Sequence, residues 1–274
     1  GGAEVLILDE PTTGISAEQK EILFESMRKM TREEGKTVIL VSHKLEEVQE
    51  LCLYAYVLRR GKLVGEQELP CLNEQLVEMM FGAPPKRSPR PAFDRGAPVL
   101  ELRDVTIETY QLTVPNVNLT VQAGEVLGFA GLEGSGQRLV MQACAGLMRP
   151  ARGHIELAGQ DVTGWAYHKL RNYGVGYVAA GRLEEGLVAG LTLTEHLVLA
   201  RRQKKFFIDW PGNRAEMTER IATFQIVGQP ETTADALSGG NQQRLLFSLL
   251  RTPLKLLLLE HPTRGLDVRS SDYT

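Results

Sequence analysis

The 274-residue sequence has little of what marks membrane-spanning, metal-binding or nucleic-acid-binding proteins. Its longest apolar run, around Leu256–Leu259, is strand-sized and far short of the roughly 20 residues that span a bilayer. Its three cysteines (Cys52, Cys71 and Cys144) have no paired spacing, which argues against a metal site and suits a reducing compartment. Lysine and arginine number 31 against 34 acidic residues, so no basic excess predicts a nucleic-acid partner.

An internal repeat is the first positive feature. A composition of 43 % hydrophobic and 24 % charged residues is typical of a globular protein, and the length allows one large or two modest domains. Residues 3–12 (AEVLILDEPT) return as residues 254–263 (LKLLLLEHPT), and equivalent positions such as 9 and 260 differ by 251. The repeat predicts a duplicated domain, with the chain beginning and ending at equivalent points of the two copies.

A proline-rich segment divides the chain between these copies. Residues 83–98 contain five prolines and four basic residues, which predicts a short, stiff linker. Residues 1–82 are then the C-terminal part of a first domain, and residues 99–274 are a second domain that stops soon after the repeat. Buried strands predicted at 5–8 and 37–41 alternate with helices, which indicates a parallel sheet with covered faces.

A glycine-rich loop, Gly131–Arg138 (GLEGSGQR), follows a predicted buried strand at 126–130 and precedes a predicted helix at 139–147. In that context the backbone N–H groups and the helix N-terminus face an anion, as in phosphate-binding loops. The full pattern has Lys and then Ser or Thr after the last glycine. Gln137 and Arg138 supply neither the ammonium group nor the hydroxyl for Mg²⁺, so a plain glycine turn stays an alternative. The candidate nucleotide-binding residues here are Gly131, Gly134, Ser135, Gly136, Gln137 and Arg138.

A second anion-facing helix start, Ser238–Arg244 (SGGNQQR), precedes the repeated His-Pro-Thr segment. This combination resembles the signature motif of ABC ATPases, and the Asn-Gln-Gln ending with Pro-Thr-Arg-Gly-Leu-Asp is similar to importers of simple sugars and nucleosides. The resemblance covers nearly the whole chain. It implies P-loop NTPase-like ABC ATPase domains, an α/β fold with a mainly parallel sheet, flanking helices, and antiparallel β and helical subdomains. The signature positions are Ser238, Gly239, Gly240, Asn241 and Gln242.

Catalytic roles in the first copy follow from the same resemblance. Asp9 and Glu10 are similar to the Walker B motif, in which Asp9 would hold Mg²⁺ through water. Glu10 would orient or deprotonate the water that attacks ATP. His43 resembles the switch histidine that contacts the γ-phosphate.

The second copy departs from the family pattern. Glu260 replaces the Mg²⁺-binding aspartate, His261 replaces the catalytic glutamate, and Ala180 stands where a γ-phosphate-sensing Gln or Glu is usual. Asp267 fits the D-loop acid, whereas the equivalent position of the first copy holds Ser16. The resemblance therefore implies one active and one degenerate ATP site.

The expected function is an ATP-hydrolysing subunit, with ATP and Mg²⁺ as cofactors, that powers import of a sugar or nucleoside. Its domains would pair head to tail and bind transmembrane permease subunits at the cytoplasmic face of the plasma membrane. A substrate-binding protein would act with them indirectly. This chain alone lacks a complete hydrolytic site, and the solute is not readable from it. Alternatives are a soluble tandem ABC protein acting on the ribosome or DNA, and a non-catalytic truncated remnant.

Overall fold

The protein is described from a computed structural model that covers residues 3–12, 15–59, 61–82, 96–132, 134–201 and 207–263. The chain divides into two compact units, one formed by residues up to 91 and the other by residues from 92 to 266. The predicted linker at 83–98 lies largely outside the described residues, and Pro98 begins the first strand of the second unit. Among the described residues, no helix is long and apolar enough to cross a membrane.

The first unit combines a parallel strand pair with an antiparallel hairpin. Strands β1 and β2 are parallel, and β3 pairs with β4 across a tight turn, as the sequence predicts. A capping box of Ser16 and Gln19 starts α1, and this helix buries Phe24 and Met27. The elements in order are β1 (Val5–Asp9), α1 (Ala17–Arg32), β2 (Thr37–Val41), α2 (Leu45–Leu51), β3 (Tyr54–Arg59), β4 (Lys62–Glu68) and α3 (Asn73–Phe81).

The prediction that β1 and β2 are fully buried is wrong for this unit. Alternate side chains on both strands are exposed, with Ile7 at 67 % and Val41 at 49 %. The physical reason is that the described strand pair has only two members, so the alternate, outward-facing side chains of each strand stay uncovered. The two strands nevertheless end at the same edge, which brings residues 9–12 next to residues 41–44.

The second unit contains a four-stranded antiparallel sheet, ordered β6-β5-β7-β8, and a parallel pair of β10 and β9. A helical region of α6, α7 and α8 has its own apolar core around Leu193, Met217 and Leu245. The elements in order are β5 (Pro98–Glu108), β6 (Thr113–Gln122), α4 (Gln137–Ala145), β7 (Arg152–Leu157), β8 (Gln160–Asp161), α5 (Tyr167–Tyr173), β9 (Val175–Val178), a π-helical turn (Arg182–Gly186), α6 (Leu193–Ala200), α7 (Trp210–Thr223), a 3-10 turn (Ala234–Ala236), α8 (Gly239–Ser248) and β10 (Leu256–Leu259).

The strand predicted at 126–130 does not form. This segment pairs with no other described strand, and Val126 is 93 % exposed. An apolar run becomes a strand only where a neighbour accepts its backbone hydrogen bonds. The described parallel strands, β9 and β10, pair only with each other in the part of the chain that the structure shows.

Candidate functional site

The first candidate site lies where β1 and β2 end. Oε1 of Glu10 accepts a hydrogen bond from the backbone N–H of His43 (3.1 Å) and lies 2.6 Å from its Nδ1. Oε2 of Glu10 is buried and has no hydrogen-bond partner among the described residues. A buried carboxylate oxygen without a donor is costly, so it marks a position for an outside hydrogen-bond donor such as a water. Asp9, beside it, is exposed at the end of β1.

Backbone strain singles out the same position in both repeats. Glu10 has φ of 47° and His261, its counterpart, has φ of 42°, and both values lie in the left-handed region that non-glycine residues seldom adopt. Strain of this kind persists where the surroundings hold it, and it concentrates at functional sites. The repeat found in the sequence is therefore also a repeat of backbone conformation.

A buried carboxylate network supports this site from below. Glu47 is only 3 % exposed, and both of its oxygens accept hydrogen bonds from the hydroxyl of Thr12 (2.6 and 2.8 Å). Ser42 donates another hydrogen bond, and Nζ of Lys44 lies 3.2 Å from Oε1. Burial raises the pKa of Glu47, but the hydrogen bonds from Thr12 and Lys44 outweigh it and keep the pKa below its ordinary value. Thr12 follows Glu10 and Ser42 precedes His43, so Glu47 joins the two segments that carry the site.

The glycine loop forms the second candidate site, at the start of α4. Gly136 has φ of +105°, and a Cβ there would lie 2.4 Å from Cγ2 of Val114, so only glycine fits. The close approach places the β5–β6 turn beside the loop, and Tyr110 is fully exposed on that turn. The Gln137 side chain folds back over the loop, where its amide donates to the carbonyl oxygen of Leu132 (3.2 Å). Gln137 thus occupies the space of a loop lysine without its charge.

Arg138 and Glu260 meet behind this loop. The Arg138 guanidinium pairs with Glu185 of the π-helical turn and, through Nε, lies 3.5 Å from Oε2 of Glu260. Glu260 is 4 % exposed and also accepts hydrogen bonds from the hydroxyl of Tyr177 (2.7 Å) and the N–H of Ala180 (3.3 Å). The hydrogen bond with Glu185 raises the pKa of Arg138, and burial raises the pKa of Tyr177. The guanidinium is therefore positive, and the phenol stays a hydrogen-bond donor.

The third candidate site is the N-terminus of α8. Ser238 is exposed at the N-cap, and its side chain makes no capping hydrogen bond to the helix backbone. The amide of Asn241 donates to Oγ of Ser238 (2.9 Å), and Gln242 is buried with its amide on the carbonyls of Ala234 and Leu237. Asn241 and Gln242 thus hold the Ser-Gly-Gly turn, and Ser238 and the first N–H groups face outward as an anion-binding helix end.

Comparison with known proteins decides the family. The profile described as ABC transporter matches residues 114–264, which is more than half of the chain. The chain belongs to the ABC transporter family. Solved structures agree on the predicted fold, which they confirm as that of ABC ATPase domains. A dimeric ATP-binding cassette in a post-hydrolysis state with ADP and Pi has a TM-score of 0.53 at 21 % identity, over 64 % of this chain and 78 % of that one. A nucleotide-free cassette has a TM-score of 0.54 at 17 % identity, over 64 % and 74 %.

Curated relatives of this ABC family chain are import proteins. The nucleoside import ATP-binding protein NupA of Lactococcus lactis subsp. cremoris is 34 % identical over 288 residues, which is 99 % of this chain and 56 % of the relative. The ribose import ATP-binding protein RbsA of Chromobacterium violaceum is 34 % identical over 280 residues, which is 97 % of this chain and 54 % of the relative. The chain spans about half the length of the curated relatives that it matches.

The structure brings some of the predicted site residues together within each unit. In the first unit Glu10 contacts His43, with Asp9 adjacent. In the second unit Arg138, Glu260 and the backbone of Ala180 form one cluster, and His261 follows on the strained turn. Asp267, the predicted D-loop acid, lies outside the described residues.

Sequence reasoning missed Glu47, Glu185 and the role of Tyr177. Glu47 has a usable signal, since it is an acid four residues after His43 in the first turn of α2, where its side chain points back toward the strand ends. No comparable local signal marks Glu185. Its contact with Arg138 joins residues 47 positions apart and depends on the tertiary fold.

The Glu47 network gives a stability prediction. Changing Thr12 to valine removes the hydroxyl that both Glu47 oxygens use, so we expect a loss of about 1–3 kcal/mol in the free energy of unfolding. Urea unfolding of the chain measures it. Thr31→Val is the matched control, because Thr31 lies on the exposed face of α1 and its loss should cost about 0.5 kcal/mol or less.

The pH dependence of that loss follows from the lowered pKa of Glu47. A carboxyl group whose folded pKa is depressed stabilises the fold fully above its ordinary pKa, about 4.3. The contribution is lost as the pH falls through the folded-state value. The Thr12→Val difference should therefore be complete at pH 7 and shrink below about pH 4. Equal effects of the Thr12 and Thr31 changes at pH 7 would show that the network does not stabilise the unit.

Proposed function

We propose that this chain is part of a two-domain ATP-hydrolysing subunit that powers import of a sugar or nucleoside through a membrane permease. The observation that carries the proposal is the Glu10–His43 pair, with Oε2 of Glu10 buried and lacking a donor. That oxygen is placed to accept a proton from a water, which is the task of a general base. The relatives' names, nucleoside import and ribose import, support the substrate class.

The working ATP site is assigned to the first domain. Glu10 would accept the proton of the attacking water, and the contact between Nδ1 of His43 and Oε1 holds the carboxylate so that its other oxygen is available. The exposed carboxylate of Asp9 fits Mg²⁺, a hard cation that prefers oxygen ligands. When bound, Mg²⁺ would neutralise charge on the β- and γ-phosphates. In a head-to-tail pair of domains the Ser238–Gly240 turn would cover the γ-phosphate with N–H groups.

The second site is proposed to be degenerate. Gln137 folds onto the loop where a lysine would reach the phosphates, Arg138 replaces the hydroxyl, and His261 replaces the catalytic carboxylate. The working partners would be permease subunits at the cytoplasmic face of the membrane, with a substrate-binding protein acting through them. The solute would be recognised by those partners.

The coding sequence on either side of residues 1–274 tests this placement. The proposal requires an upstream frame that encodes a glycine loop ending in Lys-Ser or Lys-Thr and then a Ser-Gly-Gly motif, because the relatives are nearly twice as long. The complete protein should then release phosphate from MgATP. A reading frame without that upstream loop would leave Asp9, Glu10 and His43 with no phosphate to serve, and the assignment as an ATPase would fail.

A further inference from the structure

The inference concerns the charge at the centre of the second site. It rests on the proposed function, because it takes Gly131–Arg138 as a phosphate-binding loop. In such loops the residue at position 138 carries a hydroxyl and the residue at 260 a short carboxylate, and both serve Mg²⁺. This chain has a guanidinium and a longer carboxylate there, and the two form an ion pair with Nε to Oε2 at 3.5 Å.

The donor set does not fit Mg²⁺. The ion requires nearly octahedral oxygen ligands at about 2.0–2.1 Å, so a carboxylate must offer it a free lone pair. Oε1 of Glu260 accepts from the Tyr177 hydroxyl, and Oε2 accepts from the Ala180 N–H and faces Arg138. The side chain is 3 % exposed, so water does not compete for these oxygens. Glu260 is therefore satisfied by the protein itself.

A resident cation already holds the position. Arg138 remains charged at all physiological pH values, and its pairing with Glu185 fixes the guanidinium against the loop. A dication placed next to it would be repelled at short range. The first unit gives the contrast, because Asp9, at the position equivalent to Glu260, is exposed.

We propose that the Arg138 guanidinium takes the place of Mg²⁺ as the counter-ion of Glu260, so that the glycine loop of this chain excludes the metal and engages a nucleotide, where it does so, only as the metal-free polyphosphate. The site differs in this from a merely slow hydrolytic site. Restoring a catalytic carboxylate at position 261 would not revive it while Arg138 is present.

The test compares two variants that differ only at residue 138. Both carry Gln137→Lys, to supply the loop ammonium, Glu260→Asp, to restore the short carboxylate, and Asp9→Asn, to remove the other candidate Mg²⁺ ligand. One keeps Arg138 and the other has Arg138→Ser. Fluorescence anisotropy measures binding of N-methylanthraniloyl-ATP to the 274-residue chain in Mg²⁺ and in EDTA. Thermal melting checks that each variant folds.

The expected result is a split between the two variants. With Arg138 present, the Kd should be the same in Mg²⁺ and in EDTA within about twofold, whereas Arg138→Ser should bind at least about tenfold more tightly in Mg²⁺. Arg152→Ser, an exposed arginine in the same unit, is the matched control and should create no dependence on Mg²⁺. Equal dependence on Mg²⁺ in both variants overturns the proposal alone. Absence of nucleotide binding in both overturns it together with the phosphate-loop assignment.

Discussion

Replacing Glu10 by glutamine in the complete two-domain protein is expected to lower the rate of ATP hydrolysis by about 10²–10⁴-fold, the contribution of a general base. Glutamine has almost the same shape as glutamate, and its amide oxygen can keep the contact with His43 that Oε1 makes. It cannot take a proton from water, so the donor-free position of Oε2 loses its function. Phosphate release under saturating MgATP measures the effect on kcat.

The control for this change is Glu4→Gln. Glu4 is exposed just before β1, so the same chemical substitution is made six residues away on the same segment. Its rate should stay within twofold of the unmodified protein. ATP binding by Glu10→Gln should persist, since the carboxylate is assigned to the chemical step. If hydrolysis continues at an unchanged rate, Glu10 is not the base, and the strained turn at residue 10 has another cause.

Ser238→Asp is expected to lower ATP hydrolysis by at least about 100-fold while leaving the fold intact. Aspartate is as good an N-cap as serine, so α8 should keep or gain stability. The new carboxylate would compete for the first N–H groups of α8, which the structure leaves without a side-chain cap. It would also repel the γ-phosphate that this turn is proposed to cover. Phosphate release and the melting temperature together measure the change.

The matched control places the same substitution on another exposed serine. Ser26→Asp lies on the exposed face of α1, where the added charge has no assigned ligand nearby. Its hydrolysis rate should be unchanged within about twofold. A Ser238→Asp protein that melts normally and hydrolyses ATP at the unmodified rate would show that the α8 N-terminus does not meet nucleotide.

The sequence predicts well what is local. The helix predicted at 17–33 is found at Ala17–Arg32, because its start is marked by the Ser16–Gln19 capping box and its end by Gly35. The hairpin of β3 and β4 is found with the predicted turn around Gly61. By contrast α7 begins at Trp210, five residues before the predicted start, because Asp209 caps it and Pro211 follows in the first turn. That signal was present in the sequence and was overlooked.

What depends on partners far along the chain could not be predicted. The apolar run at 126–130 looks like a buried strand, but strand formation depends on a neighbour that the described residues do not provide. The loss of a Mg²⁺ hydroxyl at Arg138 is legible in the sequence, whereas its ion pair with Glu260, 122 positions away by residue number, is not. The fold turns an apparent loss into a specific charge pair.

The central claim is that only one of the two ATP sites turns over, and vanadate trapping in the complete protein tests it most directly. Vanadate replaces the leaving phosphate and retains ADP only at a site that has completed hydrolysis. The account predicts one trapped ADP per protein molecule, and none after Glu10→Gln. Two trapped ADP per molecule, or trapping that survives Glu10→Gln, would contradict it, because turnover would then occur at the site that contains Arg138 and His261.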